Sequence, residues 1–324
     1  MNEMGPAAAA LVPRMGDGGG DIIANSLSFV RSHLGMEIAY LSEFVGDDLV
    51  FRAVDAPGFE EMIDVGDTLP LSEVYCQHIL AGRLPELMPD TDHVPFAQGI
   101  AMTQNLPVRS HVSIPIRRTN GEVYGMFCCL SRKPRPSLNS RDLEVMRAFA
   151  SLSADQVNNR LTSELAIQLK RDAIQAVLNT KAFEIALQPI FRLQDQGIAG
   201  YEALCRFAPK PYRPPNLWFD DAADVGLQVD LELFVIESAL GILAELPEPC
   251  YLAVNTSPAT LASGRISPLV EAVGGKRVLV EITEHAAIED LDVLLMEIDR
   301  LRELGARIAV DDAGFYFSSR AGND

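Results

Sequence analysis

The chain has 324 residues, 48% of them hydrophobic and 22% charged, which is enough apolar material for two globular domains. It carries 27 basic against 45 acidic residues, a formal charge of −18. Such a surface repels a polyphosphate chain and excludes DNA or RNA as an expected partner, while a small anion remains compatible where local cations or a metal reverse the field. No apolar run reaches the ~18–20 residues of a membrane span. The apolar stretch within residues 1–20 is too short for a signal-peptide core of roughly 7–15 residues. Those residues read as a disordered leader.

In chain order, residues 22–34 place Ile23, Leu27, Val30 and Leu34 at helical spacing. Strand-like runs at 37–45 and 49–54 follow, joined by Gly46-Asp47-Asp48, a hairpin signal. A loop-rich stretch then holds a predicted helix at 71–81. The clearest hairpin pairs 111–117 with 122–130 around Asn120-Gly121, a dipeptide suited to the positive φ of a tight turn. A long helix is predicted over 140–178. Its apolar residues Leu143, Met146, Ala150, Val157, Leu161 and Leu165 form a partial heptad, which fits packing on the preceding sheet or a dimer seam.

The order helix, hairpin, loop and helix, hairpin, long helix predicts an antiparallel sheet with helices on one side. The segments VYCQHILAGRLPELMPD (74–90) and SIPIRRTNGEVYGMFCCLS (113–131), with the exit helix, resemble a GAF domain over about residues 20–165. The resemblance implies a sensory domain over 21–165, its ligand not specified, followed by a helical linker at 166–182. Five cysteines, at 76, 128, 129, 205 and 250, show no CxxC and no paired metal-ligand spacing, so they are expected to be reduced thiols of a cytoplasmic protein. Cys76, near His78, reads as a core cysteine on an amphipathic helix. Cys128 and Cys129 should point to opposite faces of a sheet.

From Phe183 onward, strand-like runs at 184–191, 198–206, 251–255, 278–282 and 307–310 alternate with helical runs at 230–244, 267–273 and 288–304. Alternation of this kind predicts parallel strands with crossover helices, hence an α/β sheet or barrel. The fold class is therefore α+β in the first half and α/β in the second. The last three strands each end on a polar residue, Asn255, Glu281 and Asp311, and strand ends of a β/α barrel converge on its active-site mouth. Glu202, Asn255, Glu281, Asp311 and Asp312 can thus share one pocket. Such a set of hard oxygen donors suits Mg²⁺ or Mn²⁺, and a pair of bridged metals can promote phosphodiester hydrolysis.

Tyr201-Glu202-Ala203-Leu204-Cys205-Arg206, preceded by Gln188-Pro189-Ile190 and followed by Asn255-Thr256-Ser257-Pro258, Glu281-Ile282-Thr283-Glu284 and Asp311-Asp312, resembles the ordered motifs of an EAL-type cyclic di-GMP phosphodiesterase domain. The resemblance implies a TIM-like β/α barrel in which Glu202, Asn255, Glu281 and Asp311 ligate one Mg²⁺ or Mn²⁺ and Asp312 the second. It makes Glu202 the catalytic EAL glutamate. Gln188 and Arg206 meet the substrate, the guanidinium pairing with a phosphate. Glu284 braces the loop after Asp312.

Two departures stand out. Phe315 and Tyr316 replace a small residue and a glycine of the family loop, and no lysine follows Lys276, whereas the family's catalytic lysine and later ligands follow the paired aspartates. Residues 183–324 are accordingly expected to be a C-terminally truncated barrel, against roughly 250 residues for a closed one. The expected function is cytoplasmic cyclic di-GMP signalling, with GAF input and an EAL output inactive through truncation. The alternative is a non-enzymatic module that binds cyclic di-GMP or a protein. A homodimer through the GAF domain, the linker helix or the EAL region is expected. A guanylate cyclase of the GGDEF type is not supported: the sequence has no Gly-Gly-Asp/Glu-Glu-Phe segment.

Overall fold

A computed structural model describes residues 19–283 and 290–310 of the chain. Glu284, Asp311, Asp312 and the loop containing Phe315 and Tyr316 lie outside the described residues, as do residues 1–18 of the expected leader. The chain divides into two compact units, Met1–Ser163 and Glu164–Asp324.

The first unit opens with α1 (Gly19–Leu34), so Gly19 and Gly20 belong to a helix rather than to the expected leader. It continues through β1 (Ile38–Val45), β2 (Asp48–Asp55) and β3 (Thr68–Pro70), then α2 (Cys76–Leu80), β4 (Leu87–Met88), α3 (Pro95–Gln98) and α4 (Ala101–Asn105). β5 (Ser110–Arg117) and β6 (Val123–Ser131) lead into α5 (Ser140–Thr180). The six strands form one sheet in the order β3-β2-β1-β6-β5-β4, and every pairing is antiparallel. The β5–β6 turn contains Gly121 at φ 88°, where a side chain would be strained.

Helices cover both faces of this sheet, a correction to the one-sided arrangement expected. On one face, Ile23, Leu27 and Val30 of α1 and Met146, Ala150 and Val157 of α5 pack on Leu41, Val112, Phe127 and Cys129. On the other, Cys76, Ile79, Ala97 and Met102 from the short helices pack on Tyr40, Met126 and Cys128. The second layer escaped the sequence because α2–α4 are each five residues or fewer, too short for a helical period to show. The predicted helix over 71–81 is a 3-10 turn at Leu71–Glu73 and then α2. Gly125 of β6 lies so close to β1 that a Cβ there would sit 1.8 Å from the Ser42 carbonyl oxygen, at the irregularity between Leu41 and Ser42.

The unit boundary falls inside α5. Met146, Ala150 and Val157 are buried in the first unit's core, Leu143 and Leu161 partly so, which satisfies the packing reading of the heptad for those five. Leu165 is 61% exposed. Farther along, Ile174 and Val177 join Phe183, Phe207, Trp218 and Ala222 in a core of the second unit.

The second unit comprises β7 (Phe183–Phe191), β8 (Ile198–Phe207), α6 (Pro215–Asp224), α7 (Gln228–Leu240), β9 (Tyr251–Thr256), α8 (Pro258–Ala262), α9 (Ile266–Val273), β10 (Val278–Ile282), α10 (Leu291–Glu303) and β11 (Arg307–Val310). Its sheet order is β11-β10-β9-β8-β7. β8 to β11 pair parallel through helical crossovers, the arrangement of a partial β/α barrel. β7 departs from the expected parallel pattern and runs antiparallel to β8. The six-residue link between them is too short for a parallel crossover, which takes a dozen or more.

Each strand shows one face to the helices. Leu252, Val254, Val278, Val280 and Ile282 pack on Ile236 and Leu240 of α7, Leu261 of α8, Val270 of α9 and Ile298 of α10. Burial of this apolar layer, at about 25 cal/mol per Å², drives the assembly. The opposite strand face carries the polar residues described below.

An ion-pair cluster joins α5 to α6. Asp221, buried on α6, accepts from Lys170 Nζ at 2.8 Å and Arg213 Nη2 at 2.5 Å. Burial pushes the Asp221 carboxyl up, but the Lys170 and Arg213 partners outweigh it and hold the group below its ordinary value of 3.8. The stabilisation is therefore complete above that value and is lost as pH falls through the lower folded value. Asp221→Asn should cost about 1 kcal/mol at pH 7, since both cations are a third exposed. Urea unfolding followed by the fluorescence of Trp218, the sole tryptophan, should show this difference shrinking as pH drops below 3.8.

Candidate functional site

In a strand, alternate residues share a face, so Glu202 and Arg206 project to the same side of β8. Gln188 of β7 is opposite Glu202 in the antiparallel register. Asn255 lies one strand over, two residues past Ala253, the partner of Glu202, and Glu281 is in register with Asn255. Gln188, Glu202, Arg206, Asn255 and Glu281 therefore occupy one face of the sheet, away from the helices. Asn255 and Glu281 sit at the carboxyl ends of β9 and β10, whereas Glu202 lies in the middle of β8.

Glu202 and Asn255 touch directly. The Asn255 Nδ2 amide donates to Glu202 Oε1 at 2.9 Å. That contact fixes the orientation of the amide, and it leaves Asn255 Oδ1 buried with no hydrogen-bond partner. A buried carbonyl oxygen without a donor is destabilising unless something electropositive meets it. Next to two carboxylates on the same face, a hard divalent cation is the species that fits: it takes carboxylate and amide oxygens together. Among the described residues no group of three or more His, Cys, Asp or Glu side chains is arranged to hold a metal by itself. The set inferred from the sequence also uses the Asn255 amide and two aspartates outside the described residues.

Arg206 is exposed, and its Nη1 donates to the Cys205 carbonyl at 2.9 Å. Its remaining donors suit an anion approaching the Glu202 face.

The sequence reading overlooked Glu232. This glutamate of α7 is 8% exposed, yet among the described residues no basic side chain appears in its hydrogen bonds. Its Oε2 accepts from the backbone N of Ser257 at 2.8 Å and from Ser257 Oγ at 2.9 Å, and its Oε1 accepts from Gln228 Nε2 at 2.9 Å. Ser257 caps α8, its Oγ accepting from the Thr260 backbone N. Glu232 thereby clamps the turn that begins two residues after Asn255, and its charge also faces a helix N-terminus, where an anion is favoured. Glu297 of α10 repeats the device, accepting from the backbone N of Ser267 at 3.2 Å and from its hydroxyl. The available signal was an acid inside the apolar run Leu231-Glu232-Leu233-Phe234.

A family model for the GAF domain matches residues 20–157, and one for the EAL domain matches residues 171–322. An uncharacterized signaling protein of Caulobacter vibrioides is 34% identical over 249 residues, covering 74% of this chain and 29% of the relative. Protein Rv1357c of Mycobacterium tuberculosis is 32% identical over 189 residues, covering 53% of this chain and 58% of the relative. The chain thus spans less than a third of the first relative's length and somewhat over half of the second's. The Bacillus subtilis YkuI protein, solved with cyclic di-GMP and calcium, is 25% identical, with 44% of this chain and 39% of that one covered at a TM-score of 0.38.

Proposed function

From a chain that carries a GAF domain followed by an EAL domain, we propose a cytoplasmic cyclic di-GMP signalling protein in which the first unit receives a signal and the Glu202 face of the second binds the dinucleotide with a divalent metal. The observation that carries this reading is Asn255 Oδ1, buried without a donor beside Glu202 and in register with Glu281. Glu202, Asn255 and Glu281, with Asp311 and Asp312, would hold Mg²⁺ or Mn²⁺. A bound metal would supply charge stabilisation at the phosphodiester and an activated water, the chemistry of hydrolysis to the linear dinucleotide. Arg206 receives a phosphate through its planar fork, and Gln188 orients the ligand from the neighbouring strand.

The cytoplasmic assignment is supported by five free cysteines; in addition, no helix among the described residues is long and apolar enough to cross a membrane. Homodimerisation fits the exposed Leu165 and Leu169 of α5.

Binding without turnover is a second reading, favoured by Arg206: the guanidinium is exposed and can meet a phosphate whether or not hydrolysis follows. Calorimetry with cyclic di-GMP and Mn²⁺ tests both. The proposal expects binding that chelation weakens and that Arg206→Ala weakens about tenfold or more, equivalent to ~1.4 kcal/mol. Product formation abolished by Glu202→Ala selects the enzyme, and binding without product selects the module. No binding with Mn²⁺ present contradicts both.

A further inference from the structure

The first unit contains a cavity that the binding of cyclic di-GMP to the second unit leaves unused. Its volume is about 500 Å³, and it lies on the sheet face covered by α2–α4. Ile38 and Tyr40 of β1, Phe51 of β2 and Leu130 of β6 line it from the sheet. Val74 and Met102 line it from the helical layer. None of these six residues is more than 5% exposed.

Protein interiors seldom leave voids larger than a water molecule. Small-molecule sites, by contrast, occupy roughly 300–1,000 Å³ behind mostly apolar walls with a few polar groups. The cavity matches the second description. Tyr40 and Phe51 brace its sheet side, their rings meeting edge to face with centroids 4.9 Å apart at 87°. An apolar body placed there leaves water and gains contact with two rings and four aliphatic or thioether side chains.

The polar groups have one sign. Asp67 and Glu73 both line the cavity and are exposed, and no lysine, arginine or histidine lines it. Backbone bonds fix where Asp67 stands. Phe51 N donates to the Asp67 carbonyl at 3.0 Å, and Gly66 N donates to the Phe51 carbonyl at 2.9 Å. Asp67 is thereby tied to the strand edge beside Phe51, and Asp64 N donates to its Oδ2 at 2.9 Å. Glu73 ends the 3-10 turn that immediately precedes Val74. An anion here would meet two carboxylates and no compensating cation, on a chain of formal charge −18. A neutral molecule would gain the burial alone. An organic cation gains the burial and the carboxylates together.

We propose that this cavity binds an amphiphilic amine: a small apolar body seated against Tyr40, Phe51 and Leu130, with one protonated nitrogen donating to Asp67 and Glu73. The apolar walls supply most of the affinity, and the two carboxylates supply the choice of charge. Such a ligand would be the signal that the first unit receives. That purpose rests on the cyclic di-GMP signalling function, whereas occupancy of the cavity is independent of what the second unit binds.

Met62 and Met102 both line the cavity, so NMR of the full chain labelled at its methionine methyl groups reports occupancy locally. Met62→Leu and Met102→Leu assign the two signals. The probes are 4-phenylbutylamine, 4-phenylbutanol and 4-phenylbutyrate, which share one body and differ in the head group. The amine is expected to shift both signals saturably and to bind at least about fivefold more tightly than the alcohol, as two exposed charge pairs allow. The carboxylate should bind most weakly. Asp67→Asn combined with Glu73→Gln, both at exposed positions, should erase the advantage of the amine over the alcohol. An amine that binds no better than the alcohol or the carboxylate, or that moves neither methionine, overturns the proposal. So does an advantage of the amine that survives in the folded double variant. Cyclic di-GMP with Mn²⁺, titrated into the same sample, reads the second unit separately. Its failure to bind would remove the signalling function and leave the occupancy of the cavity standing.

Discussion

Asn255→Ala is expected to weaken Mn²⁺ binding to this chain at least about a hundredfold while leaving the metal-free fold almost as stable as before. Loss of even an outer-shell group typically costs 10–100-fold in metal affinity, and Asn255 is inferred to be an inner ligand. The small cost to the fold follows from the geometry. The substitution removes one hydrogen bond to Glu202, a net contribution of about 1 kcal/mol. It also removes a buried carbonyl oxygen that has no donor, and the two effects offset each other. Electron paramagnetic resonance titration of Mn²⁺ reads the first quantity and urea unfolding the second. A purely structural asparagine would give the reverse, with unchanged metal affinity and a clear loss of stability. Asn255→Asp keeps an oxygen at the same place and should keep most of the affinity.

Glu232→Ala should be the most damaging single change to the second unit, at about 3–5 kcal/mol. It leaves the Ser257 backbone N–H buried without an acceptor, leaves the Ser257 hydroxyl only its 3.2 Å contact with Thr260 Oγ1, and strands Gln228. Removing one member of a buried charged network costs in this range because the partners remain desolvated. Glu232→Gln keeps one acceptor oxygen and should cost about half as much. Trp218 lies in the core of the same unit, so its fluorescence during urea unfolding reports the change directly. A midpoint for Glu232→Ala indistinguishable from the parent would show that the clamp contributes nothing. The substitution also frees the turn after Asn255, so Mn²⁺ affinity should fall with it, unlike the case of Asp221→Asn on α6.

The central strands of the second unit were legible because each is a short apolar run ending in a polar residue: the expected 278–282 and 307–310 coincide with β10 and β11, and 251–255 falls one residue short of β9. The β5–β6 hairpin was legible for a different reason, the Asn120-Gly121 turn. What escaped was structure held by tertiary contact. α6 begins in the proline-rich run after Phe207, where no element was expected, although proline is well tolerated in the first turn of a helix. Its Trp218 and Ala222 are buried against Phe207 and Val225, a partnership no local pattern announces.

The site divides the same way. Residue types and order singled out Glu202, Asn255 and Glu281, but only strand register puts them on one face, and only the hydrogen bond from Asn255 to Glu202 identifies which amide oxygen is left over. The antiparallel β7 and the buried Glu232 depended on a short connection and a distant serine. Neither carries a periodic signal.

Diffraction from crystals of the full chain grown with Mn²⁺, collected for the anomalous signal of manganese, tests the shared-metal claim most directly. A peak is expected about 2.1 Å from Asn255 Oδ1, with oxygens of Glu202 and Glu281 in the same coordination shell. Manganese density absent from that face, or Asn255 Oδ1 bonded to a protein donor in its place, would contradict the account.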